Sequence, residues 1–124
     1  MLTEKDYCDY DTCVALKKLG FNDPTHFYYG GNGNYITIHG YWRPELIQRF
    51  SLYEAQKFLR EEKNMEVNAF YDNMDAVWRF YIVEIDSPDL SGTHAYKDAF
   101  MSYEEALLEG IKEVVKLLKD GIGE

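Results

Sequence analysis

From residue 103 to residue 119 apolar side chains return every three or four positions, at Tyr103, Leu107, Ile111, Val114 and Leu118. That spacing gathers them on one stripe and predicts an α-helix over about 103–119. Ser102 and Glu105 stand where a capping box needs them: the hydroxyl takes the third amide and the carboxylate reaches back. Lys112, Lys116 and Lys119 lie towards the C-terminal half, where cations suit the helix dipole. Ala106 and Gly110, four apart, add a strip of small residues. A glycine inside a helix costs about 1 kcal/mol relative to alanine, and close approach of the helix to a sheet accounts for its presence.

The same period recurs twice. Leu52, Ala55, Phe58 and Leu59 predict a helix over about 52–63, with Ser51 and Glu54 as a second capping box and Asn64 at its end. Its other face, with Lys57, Arg60, Glu61 and Lys63, is mixed in charge and reads as solvated. Near the N-terminus, Cys8, Thr12, Ala15, Leu16 and Leu19 give a stripe for a helix over about 4–19, with a break near Asp9. Thr3 and Asp6 resemble a cap, Gly20 closes the helix, and Pro24 blocks its continuation.

Between the helices the period changes to two. Residues 26–42, HFYYGGNGNYITIHGYW, read as a hairpin reversed by a glycine-rich turn, and ELIQRF allows a further short strand. Ile36, Ile38 and Trp42 share one side; Tyr35, Thr37, His39 and Tyr41 share the other. MEVNAFY and AVWRFYIVEI form a second hairpin, over about 65–85, through DNMD. Trp78, Phe80 and Ile82 alternate with Tyr81, Val83 and Ile85, so both faces of this strand are apolar, which predicts a central strand covered on both sides near its end. DSPDLSGTH carries loop signals, and AYKDAF fits an edge strand or a helical turn. The order predicts one α+β domain over residues 1–124. Its architecture is an antiparallel sheet of about four to five strands from two hairpins, with three helices packed mainly on one face.

Charge narrows the function classes. Twenty-two acidic residues against 13 basic ones give a net charge of −9. Phosphate binding rests on Lys and Arg, so the balance argues against nucleic acid and favours basic partners. No apolar run approaches the roughly 18 residues of a membrane span, and the N-terminus lacks the pattern of a signal peptide. The expected location is the cytoplasm, with no membrane partner. Eleven tyrosines suit half-buried sheet faces or surfaces that meet a partner.

Candidate chemistry is sparse. Cys8 and Cys13, five apart, fit neither a redox CxxC pair nor a zinc pair, and read as free thiols. His26, His39 and His94 have no carboxylate or cysteine at ligand spacing, so no metal site is expected. GGNGN joins two strands and lacks the helix N-terminus of a phosphate loop. Paired acids such as Glu61 and Glu62 are explained by helix ends or solvated faces. No catalytic constellation and no cofactor site are expected. The surface of most interest is the outer set Tyr35, Thr37, His39 and Tyr41, as an interaction face.

Four segments carry a family resemblance: LTEKDYCDYDTCVALKKLGF, SLYEAQKFLREEKN, the W-x-F-x-I of Trp78, Phe80 and Ile82, and YEEALLEGIKEVVKLLK. Together they resemble a family of small bacterial proteins with no established activity, whose members occur in mobile or phage-derived gene neighbourhoods. The resemblance implies a compact α+β domain and transfers no functional residue. A second, local resemblance covers about residues 78–118. Trp78 and its strand lead to Pro88, Asp89, Leu90, Ser91 and Gly92, then to Ser102, Glu105 and Ala106. This is similar to the HicB-type antitoxin pattern, which implies neutralisation of a small basic toxin. Here Ser91 stands in place of the pattern's second proline, and the loop to Ser102 is longer.

Two functional expectations follow. The first is an acidic cytoplasmic module acting through protein contacts, with homo-oligomerisation through a sheet edge or the Tyr35/Tyr41 face as one form. The second is an antitoxin-like or DNA-mimic regulator that binds a basic protein.

Overall fold

The computed structural model describes residues 2–22, 27–29, 35–37, 47–86 and 92–121. A 3-10 turn, Glu4–Asp6, leads to α1, Tyr10–Lys18. Three strands follow: β1, Phe27–Tyr29; β2, Tyr35–Thr37; and β3, Ile47–Gln48. Then come α2, Leu52–Lys63, the strands β4, Met65–Asp72, β5, Val77–Glu84, and β6, Thr93–Ala95, and finally α3, Tyr103–Lys119. The fold is α+β, and every strand pairing among the described residues is antiparallel.

The chain divides into two compact units, Met1–Ser51 and Leu52–Glu124. Each holds a three-stranded sheet, in the order β2-β1-β3 in the first and β4-β5-β6 in the second. The sequence pattern predicts a single sheet of four to five strands; the described strands instead form two sheets of three. Alternation shows which residues share a side of a strand, but not which hairpin pairs with which. Thr93 and His94 also belong to β6, where the local signals predict loop. A strand of three residues is too short to display a period.

In the first unit the helix expected from about residue 4 is interrupted. The Asp6 carboxylate accepts the Thr3 amide at 2.8 Å and the Thr3 hydroxyl at 3.2 Å, closing the 3-10 turn. Tyr7 then bridges Ser51, and the Cys8 amide donates to the Phe50 carbonyl at 2.9 Å. α1 begins afresh at Asp9, whose side chain accepts the Thr12 amide at 3.0 Å. Relative to that cap, Cys8 and Cys13 occupy the positions of a hydrophobic staple. Both are fully buried, with Cys13 Sγ 3.8 Å from the Cys8 carbonyl oxygen. At its other end α1 closes with two bonds, Phe21 N–H to Leu16 O and Gly20 N–H to Lys17 O, each at 3.0 Å. This is a Schellman closure with Gly20 at φ +105°. Phe21, thus turned inward, stacks on Phe50 at 3.8 Å between ring centroids.

In the second unit the β4–β5 hairpin runs in register from Met65↔Glu84 to Asp72↔Val77. Met65, Val67 and Ala69 are buried and alternate with half-buried Glu66 and Asn68. β5 is the central strand, as predicted, and Phe80 and Ile82 are buried on it. Its other side differs from the expectation of cover near the strand's end: Tyr81 and Val83 are half-buried and Ile85 is exposed. α3 packs on β4 and β5 through Ala106, Leu107, Gly110, Ile111 and Val114, and α2 packs on β4 and α3. Gln56 of α2 donates to the Val67 carbonyl at 2.8 Å, occupying the outer edge of β4. Asn64 ends α2 at φ +56°, a left-handed position that asparagine tolerates.

Candidate interaction surface

Of the face singled out from the sequence, Tyr35 and Thr37 lie on β2, opposite Tyr29 and Phe27 of β1. His39 and Tyr41 lie outside the described residues.

Three polar clusters among the described residues each tie elements of one unit together. Buried Arg49 pairs with Glu4 at 2.7 Å and lies 4.1 Å over the Tyr7 ring. Burial would lower its pKa, but hydrogen bonds to Tyr29 and Glu4 outweigh that and hold it charged. The Tyr29 hydroxyl donates to the Cys8 carbonyl at 2.7 Å, and burial raises its pKa. His94 Nε2 lies 2.7 Å from Glu84 Oε2, linking β6 to β5. Arg79 donates to Asp72 at 2.9 Å, to Asp75 at 2.5 Å, and to the Lys97 carbonyl. Among the described residues no group of three His, Cys, Asp or Glu side chains is arranged to hold a metal ion.

A different kind of surface stands at the hairpin end of the second unit. The turn 73–76 lifts Met74 into solvent, 94% exposed. Its shape is locked from both sides. Asp72 Oδ1 accepts the Met74 and Asp75 amides at 3.0 and 3.4 Å, and Arg79 grips both aspartates. Beyond β6, Phe100 exchanges two backbone bonds with Trp78, at 3.0 and 2.8 Å. That bridge carries Met101 to the same end of the sheet, 87% exposed.

Next to the Trp78–Phe100 bridge lies an aromatic cluster. Tyr71 and Tyr103 meet Trp78 edge-on, at 5.3 and 5.6 Å between centroids. Tyr71 is 48% exposed and its neighbour Phe70 40%. The Tyr103 hydroxyl donates to Asn68 at 3.2 Å, and burial, followed by the charge of Glu104, raises its pKa.

Met101 precedes the Ser102 cap, which accepts the Glu105 amide at 3.2 Å, so it holds the same station before α3 that Cys8 holds before α1. The staple partner there is Ala106, small and fully buried, and Met101 stays out in solvent. Sequence reasoning passed over both methionines. One signal was available: Met74 is an apolar residue inside the polar turn DNMD, where burial is hard to arrange.

Compared with family models, curated proteins and solved structures, the chain matches none. Among the described residues no helix is long and apolar enough to cross a membrane.

Proposed function

We propose that this chain is a small acidic protein-interaction module of the cytoplasm, acting by contact with another protein chain. The observation that carries the proposal is the pair Met74 and Met101, held out in solvent by backbone that is hydrogen-bonded on both sides. Large apolar side chains in solvent offer surface whose burial drives association. In this reading α2 and α3 pack on β4 and β5, and exposed Phe70 and Ile85 extend the contact area. The mobile-element family resemblance fits such a role.

The charge of −9 supports a second, narrower reading: an antitoxin-like or DNA-mimic regulator whose partner is basic.

Site-specific photo-crosslinking in cells tests the proposal. A photoreactive residue at position 74 or 101 is expected to give a discrete protein adduct. The same residue at Lys57 or Glu61, on the exposed side of α2, is expected to give none. Equal adducts at all four positions, or none anywhere, would remove the interaction reading. Light scattering then separates a second copy of the chain from a different partner.

A further inference from the structure

We infer that the methionine-tipped end of the β4–β5 hairpin docks a basic, apolar-faced segment of a partner protein; this rests on the interaction reading above and names its partner's chemistry. The apolar half of this surface is exposed Met74 in the turn and exposed Met101, next to the Trp78–Phe100 bridge, with half-exposed Tyr71 paired to Trp78 across the hairpin. An unbranched thioether side chain adapts to the shape of what it meets, which suits it to grip large aliphatic or aromatic side chains.

The charged half is the rim. Asp72 and Asp75 flank Met74, while Asp98, Glu104 and Glu105 flank Met101. Against these five carboxylates stand Arg79 and Lys97. Arg79 pairs with both Asp72 and Asp75 and offsets one of their two charges, so the negative charge rests mainly on Asp98, Glu104 and Glu105. Among the described residues no cation forms an ion pair with Asp98, Glu104 or Glu105. Exposed apolar side chains flanked along the chain by carboxylates are complementary to a segment with lysine or arginine beside large apolar side chains. The same rim disfavours other occupants. A second copy docked symmetrically would set acidic rim against acidic rim. Anionic lipid surfaces and phosphate backbones carry the repelled sign.

The test titrates the full chain with a short helical peptide that has a leucine face and a lysine face. Amide chemical shifts locate the contact. A peptide with glutamate in place of lysine is the control. Shifts are expected over Asp72–Trp78 and Phe100–Tyr103. Affinity is expected to fall about tenfold or more in the Met74→Ser/Met101→Ser double variant, and to weaken as salt is added. The glutamate peptide should bind at least about tenfold more weakly. Both substituted side chains are exposed, so an unchanged thermal midpoint will show that the variant folds.

Absence of shifts, shifts elsewhere, equal affinity in the double variant, or equal affinity for the glutamate peptide would overturn the inference. Self-association abolished by the double variant would overturn it in favour of a second copy. Position-specific crosslinks at 74 and 101 without lysine-peptide binding would defeat this partner chemistry and leave the interaction module standing. Absence of both would defeat both.

Discussion

A methyl group added at Gly110 would lie 2.7 Å from Val67 Cγ2 and 3.1 Å from two ring atoms of Phe80. Val67 is fully buried and β-branched, so it has little room to turn aside. Helix propensity alone would make Gly110→Ala stabilising by about 1 kcal/mol. Overpacking costs about 1–3 kcal/mol and outweighs it, so urea denaturation should show a net loss of up to about 2 kcal/mol. Gly20 presents the opposite case. Its surroundings are open, but its φ is +105°. Gly20→Ala should therefore cost about 1 kcal/mol through backbone strain alone. Ala76, exposed at φ +55° in the β4–β5 turn, already bears such strain. Ala76→Gly should raise stability by up to about 1 kcal/mol, read as a higher urea midpoint with an unchanged slope. A lower midpoint would show that the turn gains more from alanine's smaller unfolded-state entropy.

At the scale of elements, the two described helix caps show what one spacing rule can do in different surroundings. Cys8 before α1 finds Cys13 and is buried, whereas Met101 before α3 meets Ala106 and is exposed. The β4–β5 turn depends on Arg79, whose hydrogen bond holds the Asp72 carboxyl below its ordinary pKa; burial opposes this, and the Met74 and Asp75 amides assist it. A carboxylate with a depressed folded pKa contributes stability above its unfolded pKa of about 3.9. That contribution is lost as pH falls through the folded value. An NMR titration should find Asp72 ionising below the ordinary aspartate range, and Arg79→Gln should move it back up. The stability difference between wild type and Arg79→Gln should shrink as acid protonates Asp72. An Asp72 midpoint unmoved by Arg79→Gln would show that the turn amides alone hold it.

At the scale of the whole molecule, both units hold buried apolar side chains: Leu16, Phe21 and Phe50 in the first, Leu59, Met65, Ile82 and Ile111 in the second. Both thiols lie in the first unit and are fully buried. Thiol labelling of the native chain should therefore run at least about a thousandfold slower than in urea, because it must await opening of that unit. Labelling at the unfolded rate would place the cysteines outside a closed core. Much of this was legible in the chain. α2 and α3 lie where the helical period puts them, because an amphipathic stripe and a cap are local properties. The Gly20 closure and the close approach at Gly110 were equally readable, since glycine at such positions has few other physical reasons. The pairing of strands was not, because alternation names a face but no partner. Sequence by itself determined the α+β class, the three helices and two hairpins found among the described residues, and the net negative charge. Tertiary structure decided that the described strands form two sheets, that Cys8 and Cys13 meet in a staple, and that Met74 and Met101 both stay out in solvent. Each of those depends on which distant segments touch, and the order of residues along a chain does not state that.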